Sequence, residues 1–414
     1  MLLCTLMLML AAPAPQASPE AVLQHVQRGY ALAEKGDLKA AEAELRQAVT
    51  LAPGDPVALA TLGTVLSRTS RLEEANTFLE RALKLDPDEA NTRYNLAFNL
   101  FRLGRLDAAQ ANLERLLKQK PDHKEAAGLL AAIKVKARYD AALDQYRTGH
   151  FAESQALLER MTASGTPDPQ VLRLLAWCHQ KQNRPEAALA AMRQAIELAP
   201  ADPTLYASAA QMLLEERNFR AASGAIAKAL ELAPDNAQAL KLKGQLDTEH
   251  GDLKQALATF ERAVELDPSD PEALARLGSA QRMLLQFKES AATFERGIAR
   301  FPAFARLYEA YAELLLDPGT QPDAAAESRA GALIEKALAL DATLPEAHYQ
   351  LGKLLREQGK ASEALPHLKS AAKLDRNNSA IRLELAGAYR DLGRTADQAK
   401  ELARYRELEA LKPR

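Results

Sequence analysis

The sequence predicts an all-α fold, an α-solenoid of stacked antiparallel helix pairs, on three observations. Proline recurs at Pro53, Pro87 and Pro121, then at Pro200, Pro234, Pro268 and Pro302, and each step within those runs is 34 residues. In that frame the eighth position of every unit is Gly or Ala and the twenty-fourth is always apolar. Apolar residues make up 47% of the chain and charged ones 26%, the balance of a folded protein rather than a disordered one. A fixed period of this length marks a repeat architecture, in which no unit can bury its apolar face alone.

The chain opens on an apolar run from Met1 to Ala12, broken by Thr5. A membrane helix needs roughly twenty such residues, so no span is expected. The run reads as the core of a secretory signal. Residues 1–17 are expected to be a signal peptide, and the mature protein to be exported to the periplasm or medium of a bacterium. The first basic residue is Arg28, and Pro15 stands where a small residue is preferred before a cut after Ala17. A longer leader from an earlier start codon would supply the missing charge. The alternative is a frayed apolar end on a cytoplasmic protein.

Eleven units follow, starting at 22, 56, 90, 135, 169, 203, 237, 271, 305, 345 and 379. Each holds two apolar stretches at helical spacing, such as Leu59, Leu62, Gly63 and Leu66, then Ala75, Leu79 and Ala82. The twentieth position is nearly always small, letting two helix backbones approach. Between the stretches, Gly36, Gly104, Gly149, Gly251, Gly359 and Gly393 are expected to end the first helix in the left-handed conformation. The closing proline is expected to stop the second helix and start the next, with Asp86 and Asp267 before it as caps.

These positions resemble the tetratricopeptide repeat family, whose pattern is W-x2-L-G-x2-Y, then A-x3-F, then P. The resemblance covers almost everything after residue 21. It implies a right-handed superhelix whose concave groove is lined by the first helix of each pair, chiefly at positions two, five, six, nine and thirteen. Carried across, unit three offers Asn91, Tyr94, Asn95, Phe98 and Arg102, with Arg68 at position thirteen one unit earlier. Unit five offers Arg173, Trp177 and Lys181. Asn95 matches the family's asparagine at position six, which hydrogen-bonds an extended peptide, and Arg with Trp is a common anchor at interfaces. The competing reading has Trp177 and Phe98 packing on the neighbouring helix. The clamp with which some members hold a chaperone's terminal carboxylate is absent: Val26 and Tyr30, Thr61, then Asn91 and Asn95 stand where its lysines and asparagines belong.

Two stretches break the period. Residues 124–134 are extra, separating units one to three (22–123) from units four to eight (135–304). With no proline between Pro121 and Pro167, one helix of ~37 Å is expected from about His123 to Arg147. It is expected either to redirect the stacking or to be a degenerate twelfth unit. In units nine to eleven (305–412), residues 316–328 add a loop with Pro318, Gly319 and Pro322. The charged last helix, with Gln398 and Tyr405 in place of Ala, reads as a solubilising cap.

Signs of chemistry are sparse. Cys4 and Cys178 make no disulfide framework or thiolate zinc site. No two of the seven histidines stand four apart, and no metal, nucleotide or hydrolase motif occurs. No enzyme activity, metal or cofactor is therefore expected. Lys and Arg number 53 against 55 Asp and Glu, so no nucleic acid is expected either. The expected function is a scaffold binding peptide or protein partners in a bacterial envelope. Alternatives are an accessory subunit of an envelope enzyme or a secretion or polysaccharide assembly complex, and a self-assembling structural protein.

Overall fold

A computed structural model describes residues 18–163, 165 and 168–411, which hold twenty-two α-helices and no strand. The expected signal peptide lies outside them. The chain forms two compact units that meet between residues 167 and 168. The first contains α1 (Pro19–Glu34), α2 (Leu38–Leu51), α3 (Pro56–Arg68), α4 (Leu72–Leu85), α5 (Ala90–Arg102), α6 (Leu106–Gln119), α7 (Lys124–Arg147) and α8 (Phe151–Ala163). The second begins with α9 (Pro169–Lys181), α10 (Pro185–Leu198), α11 (Pro203–Glu215), α12 (Phe219–Leu232), α13 (Ala237–Glu249) and α14 (Leu253–Leu266). It continues with α15 (Pro271–Met283), α16 (Phe287–Arg300), α17 (Ala305–Leu315), α18 (Ala324–Leu340), α19 (Pro345–Glu357), α20 (Ala361–Leu374), α21 (Ser379–Asp391) and α22 (Thr395–Ala410). In both, the two helices of a pair pack on each other, and within a unit the second helix of a pair packs on the first helix of the next.

The residues 124–134 are absorbed into α7, which runs unbroken for 24 residues. Its first part packs on α6 and its second part on α8, and the buried side chains are Ala126, Ile133 and Ala142. The division between compact units falls after the α7–α8 pair, one pair beyond the break expected from the insertion. The 316–328 stretch is also less loop than expected. A 3-10 turn occupies Pro318–Thr320, and α18 begins at Ala324, so part of the insertion lengthens that helix to 17 residues.

The recurring prolines stop helices but do not start them. Pro53, Pro87 and Pro268 sit in the turns, and the residues before them, Ala52, Asp86 and Asp267, are forced toward extended ψ values of 83°, 89° and 83°. The starters are other prolines, including Pro56, Pro203 and Pro271, each preceded by an aspartate whose carboxylate accepts amides of the first turn. Asp86 and Asp267 instead accept the amides of Asp88 and Ser269 within the turn.

Positions eight and twenty-four interlock. A Cβ on Gly63 would lie 2.7 Å from Leu79, on Gly244 2.7 Å from Phe260, and on Gly278 2.5 Å from Phe294. Where position twenty is serine, its hydroxyl donates to the position-eight carbonyl: Ser154 to Ala142 and Ser290 to Gly278, both at 2.7 Å.

A further regularity satisfies the turn between pairs. At position four, a side chain with a polar tip donates to the carbonyl six residues earlier. Tyr206 reaches Pro200 (3.1 Å), Tyr308 reaches Pro302 (3.0 Å), and Arg93 reaches Pro87 (2.5 Å). His348 Nε2 is 3.2 Å from the Ala342 carbonyl in the same place.

The six expected glycines all have positive φ, from 71° to 84°. The same turn elsewhere is made by Ser70, Asn183, Arg217 and Leu285, at φ of 55° to 62°. A leucine there is strained, since Cβ crowds the following carbonyl at a cost of roughly 1–2 kcal/mol. Leu285 is 70% exposed and contributes little packing in return. Leu285→Gly is expected to stabilise the chain by about 1 kcal/mol, read as a higher urea midpoint; an unchanged or lower midpoint would contradict it.

Candidate functional site

In the first unit, α1, α3 and α5 stand side by side and leave two adjoining cavities of about 380 and 290 Å³, which share Thr64, Arg68 and Asn95. The larger is lined also by Tyr30, Val57, Thr61 and Asn91, the smaller by Tyr94, Phe98 and Arg102. The six residues expected from units two and three therefore come together. Tyr30, Val57 and Phe98 are 60%, 60% and 41% exposed, so apolar surface stands open along the groove.

The polar members are partly committed. Asn95 Nδ2 donates to Thr64 Oγ1 at 3.0 Å, and Asn99 behind it donates to Ser67 Oγ at 2.7 Å. Arg68 donates to the Ala33 carbonyl at 2.8 Å and Arg102 to the Ser67 carbonyl at 3.3 Å. Each arginine thus braces the C-terminal end of the preceding first helix, where a cation also meets the negative end of the dipole. Tyr94 stacks between Phe98 and His123, with ring centroids 6.3 and 5.4 Å apart. Phe98 is left with an exposed face while Tyr94 is half-buried.

Arg173, Trp177 and Lys181 lie on α9, in the second unit, and line neither of these cavities. Arg173 and Trp177 are half-buried, and Lys181 is exposed.

The second unit has a groove that the sequence reading passed over. Two cavities of about 180 and 580 Å³ adjoin along α15, α17 and α19, both lined by Glu313. Arg276, Arg306, Glu309, Glu313, Glu346 and Tyr349 occupy positions two, five, six or nine, so the rule applied to units three and five reaches them in units eight to ten. Burial and neighbouring Glu313 push the Glu309 carboxyl up to about 7. Burial likewise raises Glu313, against the pull of Arg282, and Glu346.

Two histidines separated by nineteen residues also meet. His348 Nδ1 and His367 Nδ1 are 3.1 Å apart, at the positions where Arg382 and Glu401 form an ion pair one unit later. With His348 Nε2–H given to Ala342, its Nδ1 is an acceptor and His367 Nδ1–H the donor. Among the described residues, no three His, Cys, Asp or Glu groups gather to hold a metal ion. Burial, then His348, lowers the His367 pKa. The unfolded chain therefore binds the proton more readily, and this contribution to stability is complete above about pH 6.5 and lost as pH falls below it. The stability difference between the chain and His367→Gln is expected to shrink from pH 7.5 to pH 5, measured by urea unfolding. A constant difference would exclude the linkage.

Three family models, each described as tetratricopeptide repeat, match the chain: one at 68–133, 248–314 and 355–411, one at 139–203 and 208–271, and one at 25–55. Among solved structures, the APC/C hetero-tetramer Cut9–Hcn1 is similar at 12% identity and a TM-score of 0.52, over 94% of this chain and 94% of that one. Yeast Tom70 matches at 17% identity and a TM-score of 0.47, over 95% of this chain and 93% of that one. A tetratricopeptide repeat protein from Parabacteroides merdae matches at 19% and 0.49, over 61% of this chain and 98% of that one. Comparison with curated proteins gives no match. No described helix is long and apolar enough to cross a membrane.

Proposed function

The chain belongs to the tetratricopeptide repeat family, and on that premise we propose that it is a non-catalytic scaffold whose first unit receives an extended segment of a partner protein across α1, α3 and α5. The observation that carries this is the run of adjoining cavities sharing Thr64, Arg68 and Asn95 beside the exposed Tyr30, Val57 and Phe98. Aromatic side chains with one open face, flanked by polar groups, suit an extended guest with apolar side chains at intervals. Arg68 and Arg102 hold the groove's shape through backbone carbonyls, so their removal would disturb folding and binding together.

The test uses the two aromatic side chains instead. A display library of random dodecapeptides is selected on the full chain, and enriched peptides are titrated by fluorescence anisotropy. Tyr30→Ala with Phe98→Ala is expected to weaken them about tenfold or more. Wild-type affinity for every selected peptide would remove the first-unit groove from the account. Export to a bacterial envelope, proposed from residues 1–17, is tested by mass spectrometry of the mature N-terminus; a retained Met1 would contradict it.

A further inference from the structure

The groove of the second unit differs in charge from that of the first. Its cations are largely spent inside the fold. Arg276 and Arg306 both pair with Glu272, at 2.9 and 3.3 Å. Arg282 reaches Asp317 at 2.9 Å and Glu313 at 3.2 Å. Glu309 and Glu346 have no ion pair among the described residues: Glu309 accepts the Ala347 amide at 3.1 Å, and Glu346 the Gln350 side-chain amide at 3.2 Å. Both are half-buried beside Glu313. A carboxylate taken out of water without a countercharge is unfavourable, and two near each other more so. Such an arrangement marks a site whose compensating group comes from elsewhere.

Extending the scaffold reading, we propose that the groove of α15, α17 and α19 receives a partner segment bearing Lys or Arg side chains, with a cationic head seated against Glu309 and Glu346. A second observation points to the same guest. Gln350 Oε1 is buried without a hydrogen-bond partner, and Gln350 lines the larger cavity. The amide oxygen is an acceptor suited to an ammonium or guanidinium N–H. Tyr349 and Leu354 in the same wall offer apolar surface to the methylene stem of such a side chain. Burial raises the pKa values of Glu309, Glu313 and Glu346, and neighbouring carboxylates add to it against the pull of Arg306, Arg282 and Lys353.

The groups around Glu309 are Arg306 and Glu313 on its own helix, Glu272 and Arg276 on α15, and Glu346 on α19. A guest cation favours the ionised form of Glu309, so binding near pH 7 should release protons, and affinity should rise from pH 6 to pH 8. A surface ion pair would give neither signature.

The probe is a fluorescein-labelled peptide of alternating Ala and Lys or Arg, with its Glu counterpart as control, titrated into the full chain at moderate salt. The cationic peptide is expected to bind at least tenfold more tightly than the acidic one. Glu309→Gln with Glu346→Gln should abolish that preference, and Glu261→Gln with Glu265→Gln on the exposed face of α14 should keep it. The Glu309→Gln, Glu346→Gln chain should melt no lower than the wild type at pH 8, because the substitutions remove uncompensated charge. Equal binding of the two peptides, wild-type affinity in the Glu309→Gln, Glu346→Gln chain, or displacement by spermidine as readily as by unlabelled peptide would overturn the proposal. Tyr30→Ala with Phe98→Ala should leave this affinity unchanged. Failure of the cationic peptide with library peptides still bound in the first unit rejects this groove alone, and the reverse result rejects the first-unit groove alone.

Discussion

Phe294→Ala is expected to destabilise the second unit by about 4 kcal/mol, the largest effect of any single truncation considered for that unit. The ring is fully buried, on α16. It packs with Leu274 of α15 and with Leu307, Tyr311 and Leu314 of α17, and stacks on Tyr311 with centroids 5.8 Å apart. One side chain therefore holds three helices from two successive pairs. Removing it loses the transfer free energy of the ring and leaves a void that helices fixed by their neighbours on both sides cannot close. Urea unfolding of the second unit followed by circular dichroism gives the loss; a change below about 1 kcal/mol would mean that the pairs do not depend on this contact.

Gly278→Ala tests the same contact from the opposite side. The added methyl would stand 2.5 Å from Phe294 Cε1 and within 3 Å of two further ring atoms. Overpacking of this kind costs about 1–3 kcal/mol, and the gain in helix propensity from Gly to Ala returns about 1 kcal/mol. The backbone there is also held by Ser290 at 2.7 Å, so the helix cannot slide away without losing a buried hydrogen bond. A net loss of up to about 2 kcal/mol is expected. Combining Gly278→Ala with Phe294→Leu should cost less than the sum of the two single changes by at least about 1 kcal/mol. The first unit shows why: Ala97 at position eight coexists with fully buried Leu113 at position twenty-four. Strict additivity would show that the two positions do not interlock.

Much of the fold was legible because its demands fall on single residues. A left-handed turn selects glycine, and all six turn glycines named from the sequence have positive φ. Close approach at position eight selects Gly or Ala whatever the rest of the unit contains. The helix starts were misassigned because proline serves both ends of a helix. The period of 34 picked out those in the turns, whereas the starters, such as Pro56 and Pro271, lie three residues later and do not recur in every unit. The position-four brace was invisible as a pattern because Arg, Tyr and His all reach the same carbonyl, and no residue type repeats.

The candidate grooves were half legible. The family resemblance, carried across in register, placed Asn95, Phe98 and Arg102 on one surface, and the structure brings them together. It could not show that Arg68 and Arg102 are occupied by backbone carbonyls. The acidic groove lies in the same register, but in sequence its glutamates look like the solvated ones found throughout the chain. What distinguishes Glu309 and Glu346 from other glutamates is burial without an ion pair, which only the packed helices reveal.

The central claim is that helix pairs are stabilised by their immediate neighbours and not by one common core. Hydrogen exchange of Phe294→Ala, read by mass spectrometry across the second unit, tests it most directly. Faster exchange is predicted in α15 to α18, with α9, α10, α21 and α22 at wild-type rates. An even acceleration from α9 to α22 would show a single cooperative core and contradict the account.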